Sequence, residues 1–349
     1  MTLHRPGAPR THRRRGSRVV LLGVALVTLA AAAYLAVVPG VAWTNVTRVD
    51  AEPDGPRPAD QPGTTYLLVG LDSRSDLSSA DRRRLGTGNG DGGNRADTVM
   101  LLHVGAGPAL LLSVPRASLV DVPGHGTSMI NAAYAYGGAP LLVQTVEAAT
   151  GVRVDHYVEV GLGGVVRSVD AVGGIVICPE TRMDDARAGL HVDAGCARAD
   201  GPTALAYARS RHAQRLDDLD RAAHQREVVS ALADAALSPR TFVSPRRYWR
   251  VASGAVASVR VGDDVGPVAM ARLAWALRHV DGDGGLTCGV PITDADVAVV
   301  HWDRERAAEM FALVQEDRVA DLDESLCRRS GLATVTAGGA HPAPSRQQR

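Results

Sequence analysis

The longest apolar stretch lies near the start of the chain. Val19–Val38 reads VVLLGVALVTLAAAAYLAVV, and no charged side chain occurs from Val19 through Thr47. About 20 apolar residues cross the hydrocarbon of a bilayer as a helix, whereas the apolar core of a cleaved leader runs to roughly 7–15. The stretch therefore predicts a retained membrane helix over 19–40. Beyond it the pattern shortens. Apolar runs of strand length, Thr65–Leu71, Thr98–Val104, Ala109–Val114, Tyr157–Val160, Gly174–Ile177 and Leu286–Pro291, alternate with segments of helical type. The helical segments are Met129–Tyr136, Pro140–Thr150, Gly163–Val172, Thr203–Tyr207, Arg221–Leu237, Pro267–His279 and Arg304–Gln315. Such alternation predicts an α/β fold, a single domain with a central mixed β-sheet flanked by helices.

Polar punctuation sets the borders. Residues 41–63 turn rich in Pro, Asp and Thr and predict a linker. Gly86–Gly93 (GTGNGDGG) predicts a flexible loop, and 333–349, rich in Ala, Gly, Pro, Ser and Gln, a disordered tail. The folded domain is then 64–332. Pro239–Asp264 is a candidate internal border, and the residues after it read as the C-terminal part of the same domain.

Charge gives the chain a direction. The formal net charge is zero, but Arg5, Arg10, Arg13, Arg14, Arg15 and Arg18 precede the first apolar run with no acid among them. By the positive-inside rule, residues 1–18 are a cytoplasmic tail and the domain lies outside the membrane. The remainder carries 32 arginines against 38 acids, about −6, the opposite of a nucleic-acid-binding body, so no nucleic-acid partner is expected. Lysine is absent, which excludes a P-loop and Schiff-base catalysis. The four cysteines contain no CxxC pair. They argue against zinc and for disulfides in an oxidising compartment. Three pairings are possible, of which Cys178–Cys196 with Cys288–Cys327 is the simplest.

The candidate chemistry sits at strand ends. Asp72 and Arg74 follow one apolar run, Arg95 and Asp97 precede the next, and Arg116 ends a third. If those strands are neighbours, all five side chains gather on one rim of the sheet, where α/β proteins bind ligands. Two carboxylates hold Mg²⁺ together with substrate phosphate oxygens, and guanidinium groups clasp phosphate in pairs of hydrogen bonds. A second cluster runs Tyr207-Ala-Arg209-Ser-Arg211-His212, then Asp217 to Arg226. Arg209 and Arg211 share a face only if extended, and Arg221 and Gln225 share a helix face. On the residues alone, a turn-capping Asp72 and a salt-bridged surface segment explain these clusters equally well.

Taken together the motifs resemble the LytR–CpsA–Psr family. The matching stretches are LLVGLDSR ending at Arg74, NRADTVMLLHV (94–104), LLSVPR (111–116), INAAYAYGG (130–138), TVEAATGVRVDHYVEV (145–160), VDAVGGIVIC (169–178) and YARSRH…DLDRAAHQRE (207–227). They stand in family order from about 65 to 235. The resemblance implies a membrane-anchored, extracytoplasmic phosphotransferase. It would move a glycopolymer from a polyprenyl-pyrophosphate carrier, a membrane lipid, onto peptidoglycan through a phosphodiester. It implies that Asp72 and Asp97 bind Mg²⁺, and that Arg74, Arg95, Arg116, Arg209, Arg211, Arg221 and Gln225 surround the pyrophosphate. The glycopolymer itself stays open. Three positions depart from the family pattern: Ala117 where Asp is usual, Met129 where Lys is frequent, and His224 where Arg is frequent. A polyprenyl-pyrophosphate phosphatase and a carrier-binding scaffold without turnover are the alternatives.

Overall fold

The computed structural model describes residues 13–72, 79, 82, 95–186, 188–210, 217–280, 284–295 and 299–332; for 13–20, 217–223, 294 and 295 it describes the backbone. The expected loop 86–93, the tail 333–349, Arg74 and Arg211 lie outside the described residues.

The chain begins with α1 (Arg13–Trp43), whose stretch Leu21–Trp43 is long and apolar enough to cross a membrane. Then come β1 (Thr47–Val49), β2 (Thr64–Leu71), β3 (Ala96–Val104), β4 (Ala109–Val114), and a hairpin of β5 (Leu119–Val122) and β6 (Gly126–Met129). Next follow α2 (Ile130–Thr150), β7 (His156–Gly161), α3 (Leu162–Ala171), and the short strands β8 (Ile175–Ile177), β9 (Met183–Asp185), β10 (Leu190–Val192) and β11 (Ala197–Ala199). The helices α4 (Gly201–Arg209), α5 (Asp217–Ala236), α6 (Pro239–Val243) and α7 (Pro245–Val256) lead to β12 (Val259–Gly262) and α8 (Pro267–His279). The chain closes with β13 (Gly285–Gly289), β14 (Ile292–Ala295), β15 (Val300–Trp302) and α9 (Arg304–Gln315).

Seven strands form the main sheet in the order β1-β12-β7-β2-β3-β4-β13. β3 is antiparallel to both β2 and β4, whereas β2–β7 and β4–β13 are parallel, so the sheet is mixed as expected. Alternate side chains leave opposite faces of a strand, and both faces here are apolar. Leu67, Val69, Leu101 and Leu112 pack with Leu142 and Val146 of α2 and with Met310 and Phe311 of α9. Tyr66, Met100, Leu111 and Val158 face Leu273 and Ala276 of α8. A further cluster, with Val169, Ile175, Tyr207 and Val228, joins α3, α4 and α5 to the small strands.

One expectation is corrected, and one candidate border is removed in favour of the single domain expected. The segment expected as a linker supplies β1, which pairs in parallel with β12 at the sheet edge. It also supplies Arg57, whose Nη2 lies 2.7 Å from Oε1 of the buried Glu147. A charge as buried as Glu147 needs such a partner. Pro239–Asp264 is not a border either, for it holds α6, α7 and β12, and β12 lies inside the sheet between β1 and β7. Within α2 the backbone leaves helical geometry at Gly137 and Gly138, with Gly138 at φ +68°. That break explains why the sequence predicts two helices there.

Buried charge pins the layers. Glu159 of β7 accepts hydrogen bonds from Tyr134 (3.0 Å) and Tyr157 (2.6 Å) and pairs with Arg260. Burial, then Glu159, pushes both tyrosine hydroxyls well above their ordinary pKa. The disulfides are Cys178–Cys196 and Cys288–Cys327, the pairing expected as simplest. The second ties β13 to the C-terminal segment, where the Gly289 amide donates to the Arg328 carbonyl at 2.7 Å.

Candidate active site

Because β3 runs against both of its neighbours, it begins where β2 and β4 end. Asp72, Arg95, Asp97 and Arg116 therefore meet at one rim, as the strand ends predict. The Asp72 amide donates to the Arg95 carbonyl at 3.3 Å. In the ladder Gly70 faces Thr98 and Leu71 faces Ala96, which leaves Asp97 as an extra residue on β3. Such a bulge re-aims side chains, and here Asp97 and Thr98 both line the same cavity. Gly70 leaves the room, since a Cβ there would come within 2.8 Å of Thr98. Arg116 Nη1 donates to Asp97 Oδ1 at 3.1 Å. Its carbonyl accepts the Asn131 amide at 3.3 Å, so the start of α2 fixes the end of this strand. The Arg95 side chain is exposed at the rim.

The cavity has a volume of about 720 Å³ and lies between the sheet and helices α3, α4, α5, α7 and α8. Ligand pockets span about 300–1,000 Å³. Its walls are almost wholly aliphatic, with Leu68, Met100 and Val158 from the strands and Leu205, Leu232 and Leu273 from the helices. Polar groups are few: Asp72, Asp97, Arg209, Gln225 and Asp185 carry most of the charge and hydrogen-bonding capacity. Arg209 ends α4, and its Nη1 is buried with no hydrogen-bond partner among the described residues. An N–H kept from water without an acceptor is costly, so this group is poised for an anion. Arg221 lies on α5 one turn before Gln225.

Four features are not foreseen from the sequence. Asp185 lines the cavity from β9. Arg226 is buried and donates Nη1 to Ser113 Oγ at 2.9 Å, holding α5 across the end of β4. Tyr207 donates to Glu227 Oε2 at 2.5 Å, and Glu227 Oε1 accepts the Cys178 amide at 2.7 Å. Burial, then Glu227, holds the Tyr207 hydroxyl protonated far above its ordinary range. The departing His224 packs on that same tyrosine, ring centroids 4.3 Å apart. Finally, the other two departures meet: Ala117 and Met129 belong to one apolar cluster with Ile292, Val300 and Trp302. The residue types signalled Arg226 and Asp185, but only the fold shows which way they face.

Residues 44–264 match the model of the LytR_cpsA_psr family. A protein of Corynebacterium glutamicum called probable cell wall biosynthesis protein LcpB is 47% identical over 274 residues, 77% of this chain and 65% of its own length. Polyisoprenyl-teichoic acid–peptidoglycan teichoic acid transferase TagU of Oceanobacillus iheyensis is 31% identical over 202 residues, 54% of this chain and 58% of its own. The chain thus spans less than two thirds of either relative. Among solved structures, the LytR-Csp2A-Psr enzyme from Actinomyces oris superposes with a TM-score of 0.62 at 20% identity, covering 77% of this chain and 96% of that one, a likeness of fold. The chain belongs to the LytR–CpsA–Psr family.

Proposed function

We propose that this chain is a membrane-anchored phosphotransferase that moves a glycopolymer from a polyprenyl-pyrophosphate carrier onto peptidoglycan. The observation that carries the reading is the composition of the cavity. Its walls suit a hydrocarbon chain. Its carboxylates, Gln225 and the Arg209 Nη1, which has no partner among the described residues, suit a phosphate head. The transferase name of the TagU relative supports the reaction class. Carried by α1, the chain crosses the membrane once with its N-terminus in the cytoplasm. The arginines before Val19 and the two disulfides support that orientation.

In the reaction a peptidoglycan hydroxyl oxygen attacks the phosphorus next to the glycopolymer. The new P–O bond makes the phosphodiester, the P–O bond between the two phosphates breaks, and polyprenyl phosphate leaves with its electron pair. Phosphoryl transfer of this kind depends on positioning and charge neutralisation. Arg116, Arg209 and Gln225 hold the phosphate oxygens, joined by Arg74, Arg95, Arg211 and Arg221. One rim carboxylate takes the hydroxyl proton. Asp72 and Asp97 both line the cavity and offer carboxylate oxygens, the donors that Mg²⁺ takes. That suits an ion which completes its shell with phosphate oxygens and water. When bound, Mg²⁺ would neutralise charge developing on the phosphates.

The test incubates the purified chain with Mg²⁺ and a polyprenyl-pyrophosphate carrying a short glycan, with or without peptidoglycan. Peptidoglycan-linked phosphodiester that Asp97→Ala abolishes is the expected outcome. Phosphate release independent of peptidoglycan would make the chain a phosphatase. Tight binding with no product would make it a carrier-binding protein.

A further inference from the structure

The transfer reaction leaves the outward face of the segment 239–256 without a task. α6 and α7 contain four arginines and no acid. Phe242, Val243 and Trp249 are 43%, 83% and 45% exposed, and Arg240, Arg246 and Arg250 are exposed beside them. Arg247 instead turns inward, donating to the Val172 carbonyl at 2.6 Å. Large apolar side chains facing outward in the company of arginines are the composition of a helix lying in a membrane interface.

A second observation, independent of composition, sets the depth of this segment. Tyr34 of α1 donates to the Pro245 carbonyl at 2.8 Å, and Tyr248 donates to the Leu35 carbonyl at 2.7 Å. The two rings lie 5.9 Å apart, and Phe242 lies 5.7 Å from Tyr248. The hydrocarbon core of a bilayer takes about 20 helical residues at about 1.5 Å each. Arg18 is the last charge before the apolar run, so a span counted from Val19 ends at Val38. Tyr34 falls four residues short of that end, about 6 Å inside the hydrocarbon. Whatever touches Tyr34 and Leu35 shares that depth, and the groups that do so belong to the start of α7. Helices in the interface sit about 5–10 Å deep, which is the same range.

We propose that α6 and the first half of α7 form a second membrane contact. Phe242, Val243 and Trp249 enter the leaflet through which α1 exits, and Arg240, Arg246 and Arg250 meet the phosphates of anionic lipids. The proposal rests on the membrane-anchored reading of the chain. It deepens that reading, because α7 also walls the cavity through Val251 and Ala255. One helix then has lipid on one side and the carrier site on the other, so a polyprenyl chain moves between them without crossing water.

The test uses the full chain reconstituted in phosphatidylcholine vesicles with brominated acyl chains, with and without phosphatidylglycerol. Bromine quenches tryptophan emission at close range, and the chain has four tryptophans, Trp43, Trp249, Trp275 and Trp302. The expected result is a quenched component that Trp249→Phe removes and that grows when phosphatidylglycerol is present. Phe242→Asp combined with Val243→Asp should lose the Trp249 component while melting like the parent, since both side chains are exposed. Alkaline carbonate separates the two readings. A chain that stays in the vesicles but shows no Trp249 quenching overturns the docking proposal alone. A chain that washes off overturns the anchor and the docking together.

Discussion

Arg116 and Asp97 come from strands that run in opposite directions, and they meet at 3.1 Å because Asp97 is the residue of β3 with no register partner on β2. The bulge brings the carboxylate to the cavity, and the guanidinium keeps it there. Both side chains remain 24% and 31% exposed, so the pair adds at most ~1 kcal/mol to stability. Its value lies in positioning. Arg116→Ala should therefore lower transfer about 10²-fold, the usual cost of removing one charge-stabilising donor, with a melting temperature close to the parent. Arg116→Lys should recover little, because an ammonium lacks the planar fork. Steady-state rates beside thermal melts check this.

Arg209 should behave in the opposite way on stability. Its Nη1 is buried without a partner among the described residues. Removing a buried donor that has no acceptor relieves its desolvation cost. Arg209→Met should melt at or above the parent temperature. Polyprenyl-pyrophosphate should raise the melting temperature of the parent, as any ligand that binds only the folded state does, and should leave the variant unmoved.

The aliphatic part of the cavity should set the preference for carrier length. Ala274 of α8 lines it, and Ala274→Phe fills space that a chain would occupy. Displacing two methylenes at ~0.8 kcal/mol each corresponds to a KM raised about tenfold or more for long carriers. Short carriers that do not reach Ala274 should be used as before. An equal loss for both lengths would mean that the substitution distorts the rim instead.

Asp317 offers a pH test. It holds a left-handed backbone (φ 54°), accepts the Ala106 amide at 2.8 Å, and lies 3.0 Å from His103 Nε2. Burial opposes its ionisation, but the amide and His103 outweigh burial and bring its pKa below the ordinary value. A lowered folded pKa gives stability that is present above the unfolded pKa, about 3.9. That stability is lost as pH falls through the lower folded value. Asp317→Asn keeps a residue that tolerates the left-handed region and removes the charge. The variant should melt below the parent above pH ~4, and the two curves should converge in stronger acid.

Ala117 and Met129, each a departure from the family pattern, share one apolar cluster with Ile292 and Val300. Ala117→Asp alone should destabilise by ~2 kcal/mol, because Ala117 is buried. Adding Met129→Lys should return part of that loss, with a coupling of ~0.5 kcal/mol or more in the double-mutant cycle. Simple additivity would mean that the two positions are independent.

The sheet was legible wherever its strands are long and apolar. Thr65–Leu71, Thr98–Val104 and Ala109–Val114 each lie within an observed strand, and their charged ends mark the rim. β1 was not legible, because three residues in a polar segment gain strand character only from pairing with β12. α7 begins at Ser244-Pro245, a start signal of helices, but three arginines and the outward-facing Trp249 make the segment read as polar punctuation rather than as part of the domain. The bulge at Asp97 is a relation between two strands and has no signature within either. Arg226 and Asp185 escaped for the same reason, since burial and direction belong to the packed helices rather than to the motif. Arg74 and Arg211 lie outside the described residues, so the fold neither adds them to the rim nor removes them.

The Cys288–Cys327 bond lies at the border of the main sheet, where β13 pairs with β4 on one side only. On its outer side β13 is met at Gly289 by the segment around Arg328, which the disulfide holds in place. An uncovered strand edge is a template for pairing with another chain. Reduction of this bond would therefore free a seam for self-association before the core gives way. Copies that reach a reducing environment would be lost by clumping while still largely folded.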